Sequence, residues 1–411
     1  MSLAKAERVL QTTRGFYRNY IKRYYEDAHQ AKAQKKPVAW VASTFPVEIL
    51  QAMDIVPVWP ENYASVCAAR QVSVRLCEAA EVEGFSRDLC SYARCVLGSL
   101  FEEKDLPEGG MPKPDFLVVS TCACDTHLKW FQVVSRRLDC PLFLLDVPFN
   151  SSGADTEHLD RRHVEQYVSQ LEELVSFLEK QTDTRIDKNR LRETLALSDQ
   201  TSRLWMEIQD YRKTIPTPMD ARDAFSAVFF MLCVPGTRMA VEFYERLRDE
   251  VRERVKNGVG VVENERFRLI WDNLPLWFNL GIFEYLNSLG AVVVAETFSH
   301  VWAGSLDPSK PYESLARKYL PNFANSSVER KIDLIINLLS DFGVDGVILA
   351  TNWGCRMMSI GETIVKDVVY KRLGVPSLIL DADSSDWRNY NEAQAKARIE
   401  AFIEMLNGKG V

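Results

Sequence analysis

The segment STCACDTHLKW, residues 120–130, sets Cys122 and Cys124 directly after the apolar run DFLVVS, with His127 and Lys129 following within a turn. A thiolate is both a nucleophile and a soft metal ligand, and nearby cations favour the ionised form it needs. Two more thiols, Cys90 and Cys95, stand in FSRDLCSYARC; Cys355 follows the apolar run of VDGVILATNWGC, and Cys67 closes PENYASVC. Nine cysteines, an odd number in a chain of 411 residues, argue against a disulfide framework and for metal or redox use. Thiolates are the natural ligands of iron–sulfur clusters, and three of them on a cubane leave one iron open to an exchangeable ligand. No C-x2-C spacing occurs, so spacing alone leaves each cysteine free to be core filling. Cys77, Cys140 and Cys233 lie in apolar surroundings and are expected in the core.

Thiols this far apart act together only if the fold carries them to one place. PVAWVAS (37–43), the helical spacing of FPVEILQAM and DIVPVW (54–59) read as strand, helix, strand. PDFLVVS, DTHLKWFQVVSRRL and CPLFLLDV form a second such unit. In the second half, 273–298 reads as strand or turn, helix and strand, and VDGVILATNWGC, RMMSIGETIVKDVVYKRLGV and PSLILDAD close the chain. Cys124 lies 22 residues before Asp146, and Cys355 lies 26 before Asp381, so in each half a Cys follows a strand and the next strand ends in Asp. Apolar runs separated by helices predict an α/β chain with two doubly wound parallel-sheet domains. The expected division is a helical segment 1–36, a first α/β domain 37–155, a helical connector 156–215 and a second α/β domain 216–411. Ligands of such sheets bind beyond the carboxyl ends of the strands, where Cys124 and Cys355 both fall.

Net charge is −7 with Lys and Arg spread along the chain, which removes the electrostatic footprint of a nucleic-acid binder. No apolar run reaches the ~18 residues of a membrane span, and the N-terminal stretch has no apolar block before a small-residue cleavage site, so a cytoplasmic location without membrane contact is expected. No G-x-x-x-x-G-K-[ST] loop occurs, which assigns any ATP hydrolysis to a partner.

STFPVEILQAMDIVPVWPEN, FSRDLCSYAR, CDTHLKWFQVVSRRLDCPLFLLDVPFN, SHVWA and GCRMMS together resemble the 2-hydroxyacyl-CoA dehydratase and benzoyl-CoA reductase family of iron–sulfur enzymes, from about PVAWVAS to the C-terminus. The resemblance implies that Cys90, Cys124 and Cys355 hold a [4Fe-4S] cluster in the cleft between the domains, with Ser43 and Glu61 near the open iron. It also implies an ATP-hydrolysing iron–sulfur activator that passes one low-potential electron to a CoA thioester. The ketyl radical so formed expels the 2-hydroxyl, and the electron is recovered. Read without the family, Ser43 caps the helix after it and Glu61 sits in a solvated turn.

Two departures bear on the substrate. The sequence has CACD where the dehydratases carry an uncharged residue in place of Cys122 and often Asn in place of Asp125. Cys67, Cys95 and Cys122 add three thiols to the three expected ligands, an arrangement similar to the homodimeric double-cubane cluster proteins, which reduce small molecules. Cys95 lies more than a quarter turn from Cys90 on a helix, and Cys122 is equally placed to be core or ligand. A benzoyl-CoA-reductase-like subunit is the further alternative, and both homodimer and heterodimer with a related chain stay open. His127 and Lys129 either balance cluster charge or lie on a polar helix face; His300 either lines the cleft or is a core histidine.

Overall fold

The computed structural model describes residues 9–408. Among them eight strands form two four-stranded sheets, and every strand pair is parallel. The first sheet holds β1 (Val38–Val41), β2 (Val56–Val58), β3 (Phe116–Ser120) and β4 (Leu142–Leu145) in the order β2-β1-β3-β4. The second holds β5 (Phe267–Asp272), β6 (Ala291–Glu296), β7 (Gly346–Asn352) and β8 (Ser377–Ala382) in the order β6-β5-β7-β8. The orders are the same, so β3 and β7, which precede Cys124 and Cys355, hold equivalent third positions in chain order. In each sheet the strand order reverses between the first strand and the third, where α/β sheets open a crevice.

Helices cover both faces because the strands are apolar on both. In the second sheet Leu269, Trp271, Ile348 and Ala350 pack with Ile282, Phe283, Ile399 and Phe402 on one side, while Ile270, Val347 and Leu349 pack with Ile335, Leu339 and Val365 on the other. The alternation is the two-residue period of a strand. The strand β5 lies ahead of the 273–298 stretch predicted to open this half. Arg268 interrupts its apolar run, yet the side chain is buried and its Nε donates to the Phe342 carbonyl at 2.6 Å.

Two long helices, Arg161–Thr182 and Lys188–Arg212, follow the first sheet, each capped by an Asp side chain, Asp160 and Asp187. Leu171, Leu174 and Leu178 of the first and Leu195, Trp205 and Ile208 of the second enter the same core as β1 and β3. That core continues past residue 216 into the helices Ala221–Leu232, Arg238–Asn257 and Pro311–Tyr319. Among the described residues no helix is long and apolar enough to cross a membrane.

Candidate functional site

The carboxyl ends of β1, β3 and β7 converge on one cavity of about 150 Å³, lined by Ser43, Glu61, Cys90, Cys124, His127 and Cys355 among others. Each of the three cysteines occupies the residue before a helix: Cys90 before Ser91–Ser99, Cys124 before Asp125–Leu138, and Cys355 before Arg356–Ser359. Backbone N–H groups exposed at a helix start favour negative charge, the state a ligating thiolate needs. Burial pushes Cys90 up to about 11 and raises Cys355 further, with each thiol adding to its neighbours' cost of ionisation. Such mutual repulsion is relieved when a positive group binds between the thiols.

Cys124 differs. Burial, the largest single influence, would raise it, but the charge of His127 together with hydrogen bonds from its side chain and backbone outweighs burial and holds the thiol below its usual range. His127 is driven the other way: burial disfavours its charged form, and Cys124 and Glu61 together raise it well above the ordinary histidine value. Its Nε2 lies 2.9 Å from Glu61 Oε1, and both side chains are 12% exposed. Glu61 Oε1 also accepts from the Ser43 backbone N–H at 2.8 Å. Burial opposes ionisation of Glu61 too, and His127 with that backbone donor overcomes it. Glu61 Oε2 and His127 Nδ1 are left buried without a hydrogen-bond partner.

Glu61 is therefore no solvated turn residue; it sits in the first turn of the helix Pro60–Ala69. Ser43 does not cap the helix Val47–Ala52, which starts after Pro46 with no side-chain cap. Lys129 is exposed: the helix that buries His127 turns Lys129 towards its outer side. His300 lies outside this cavity, its Nδ1 on the Glu296 carbonyl at 2.9 Å, and burial lowers it to about 4.

The other thiols stand apart from the cavity. Cys67 and Cys95 are fully buried between the helices Pro60–Ala69 and Ser91–Ser99 and face one another, which follows from the angle separating Cys95 from Cys90. Cys122 is buried at the end of β3, with its thiol 3.8 Å from the Tyr319 carbonyl. Cys77 is core, Cys140 is only partly buried, and Cys233 is buried yet forms part of the cavity wall.

The two halves are held at this site by close contacts. Gly354 has φ +74°, and a Cβ there would lie 3.0 Å from the Leu89 carbonyl oxygen and 3.1 Å from the Cys90 nitrogen. Only glycine lets the Cys355 loop come this near the Cys90 loop. Behind Cys90, Ser91 Oγ donates to Asp383 at 2.6 Å, and Arg94 Nη1 reaches Asp386 at 2.8 Å and Glu81 at 2.7 Å. Arg94 and Asp386 are both fully buried. Tyr92, on the same turn, lines the cavity and accepts from the Trp277 indole N–H. The partners from the second half escaped the sequence reading because they lie 185 to 292 positions away; the arginine two residues after Tyr92 was their one visible signal.

Among the described residues no three His, Cys, Asp or Glu side chains close on a single ion. The three thiols stand instead around a cavity at three helix starts, a donor set that fits a polynuclear, anionic group with thiolate ligands. Fold and site thus define a two-sheet α/β protein whose halves bring thiols together over a buried, largely apolar cavity. The chain belongs to the family described as 2-hydroxyglutaryl-CoA dehydratase, D-component, whose sequence model matches residues 42–406. It is 29% identical, over 93% of each chain, to the (R)-2-hydroxyisocaproyl-CoA dehydratase alpha subunit of Clostridioides difficile. It is also 29% identical to the (R)-phenyllactyl-CoA dehydratase alpha subunit of Clostridium sporogenes, over 93% of this chain and 92% of that one. One chain of the benzoyl-CoA reductase of Thauera aromatica is 28% identical over 88% of this chain and 87% of its own.

Proposed function

We propose that the chain is the cluster-bearing subunit of an enzyme that converts a 2-hydroxyacyl-CoA to the 2-enoyl-CoA and water, in the cytoplasm. The observation that carries this reading is the convergence of Cys90, Cys124 and Cys355 on one cavity beside the Glu61–His127 pair. These three residues would hold a [4Fe-4S] cluster. When bound, the cluster supplies a low-potential electron and an open iron for the departing hydroxyl. An ATP-hydrolysing iron–sulfur activator delivers that electron, and a related second chain completes the enzyme, as the alpha-subunit names of the relatives favour.

The chain's own residues bind and move protons. Glu61 Oε2 carries no partner and serves as the atom that accepts or delivers a proton at the reacting carbons or the leaving oxygen. The Ser43 N–H and His127 Nε2 fix the other carboxylate oxygen, so the acid–base atom is held in one orientation. The positive imidazole offsets part of the negative charge that the thiolates bring together. The apolar wall keeps water from competing for the reactive carbon. The positions of Cys67, Cys95 and Cys122, outside the cavity, favour one cubane over two.

The test is iron and acid-labile sulfide per chain in protein purified without oxygen. Iron for one cubane, unchanged in Cys122→Ser and lost in Cys124→Ser, is expected, together with dehydration of a 2-hydroxyacyl-CoA when activator and ATP are added. Iron for two cubanes, falling in Cys122→Ser, would overturn the reading in favour of a double-cubane reductase.

A further inference from the structure

Beyond the thiols, the cavity is walled by one face of one helix. Phe225, Val228, Phe229 and Leu232 of Ala221–Leu232, spaced three and four apart, all line it, and Trp277 and Phe298 extend the wall. Each neutral amide of the lining already makes at least one hydrogen bond. Asn62 Oδ1 accepts from the Tyr25 hydroxyl at 2.9 Å. Asn322 donates to the Val301 carbonyl at 3.4 Å and accepts from the Ala324 N–H at 3.0 Å. Asn352 exchanges two hydrogen bonds with Ser384 at 3.2 and 3.0 Å. Glu61 and His127 are paired with each other, and among the described residues of the lining there is no Lys or Arg. Two buried donors of the described lining are unspent: the indole N–H of Trp302 and Nδ1 of His127, whose positive charge already faces Glu61 and Cys124.

We propose that the acyl group of the substrate is uncharged and apolar, aromatic or branched, and that the cavity rejects acyl groups ending in a carboxylate. This rests on the reading of the chain as an acyl-CoA enzyme. Aromatic rings on several sides offer edge and face contacts to an apolar group. A terminal carboxylate would lose its water and meet no unpaired cation; the Trp302 indole N–H and the Nδ1 of His127, an imidazole already paired with Glu61, offset only part of that loss. The Glu61 charge, in the same cavity, would repel it further.

The test is equilibrium binding to oxygen-free protein, with any copurifying chain retained, of esters that lack the 2-hydroxyl and therefore do not react. The probes are 3-phenylpropanoyl-CoA, 4-methylpentanoyl-CoA, glutaryl-CoA and CoA itself. The first two are expected to bind at least roughly 100-fold more tightly than glutaryl-CoA, and glutaryl-CoA no better than CoA. Glutaryl-CoA binding within tenfold of the apolar esters would overturn the inference and leave the proposed function standing. Failure to bind any of the esters more tightly than CoA would overturn both.

Discussion

His127 and Glu61 meet across the cavity, Nε2 to Oε1 at 2.9 Å, although one belongs to the helix after β3 and the other to the helix after β2. The pair leaves Glu61 Oε2 free while its twin oxygen is fixed. Glu61→Gln keeps the size and the Ser43 contact but cannot take up a proton. It is expected to retain the iron content of the parent and to lose roughly 100- to 10,000-fold in dehydration rate. Iron analysis beside an activator-coupled assay checks both halves; a rate within threefold of the parent would remove Glu61 from proton transfer.

Gly354 permits the approach of the Cys355 loop to the Cys90 loop. Gly354→Ala adds a methyl against backbone that cannot swing aside, at a φ that L-residues rarely adopt, and is expected to cost on the order of 1–3 kcal/mol locally. Cluster content should fall by more than half with the overall fold retained. Iron per chain, alongside far-ultraviolet circular dichroism, reads this directly.

Arg94 and Asp386 form a fully buried ion pair between the two halves, with Glu81 and Arg388 completing the network at 2.6–2.8 Å. Removing one partner leaves the other buried charge with one ion-pair partner in place of two, Arg388 for Asp386 and Glu81 for Arg94. Arg94→Ala or Asp386→Ala should each destabilise by about 1–3 kcal/mol, and the double variant by less than the sum. Denaturant unfolding of the three variants supplies the comparison, and additivity would contradict the coupling.

His300 gives the pH dependence a sign. Burial lowers it to about 4 in the folded protein, from the usual 6.5. Between these values the unfolded chain binds the proton and the folded chain does not, so stability falls as pH drops from 6.5 towards 4. The loss is up to on the order of 3 kcal/mol. His300→Gln should flatten that part of the curve, checked by thermal midpoints at about pH 7 and about pH 5.

How much of this was legible beforehand differs from residue to residue. The strands β1, β3, β7 and β8 were readable because each is an apolar run bounded by helical spacing. The strand β5 was hidden by Arg268, whose charge is met by the buried Glu265 carboxylate and by carbonyls from distant segments. The burial of His127 was invisible: its helix reads DTHLK, a polar first turn, and only Glu61 from another element makes the inward position favourable.

By itself the sequence determined the alternation of strands and helices, the two-sheet architecture and the family, since periodicity and motifs are local properties of the chain. Only the tertiary structure decided which thiols share a cavity. Cys90, Cys124 and Cys355 do because they lie before helices on loops that Gly354 and the strand ends bring together. Cys95, on the helix that Cys90 precedes, and Cys122, two residues before Cys124, point elsewhere because side-chain direction follows the backbone angle at each residue and not proximity in sequence.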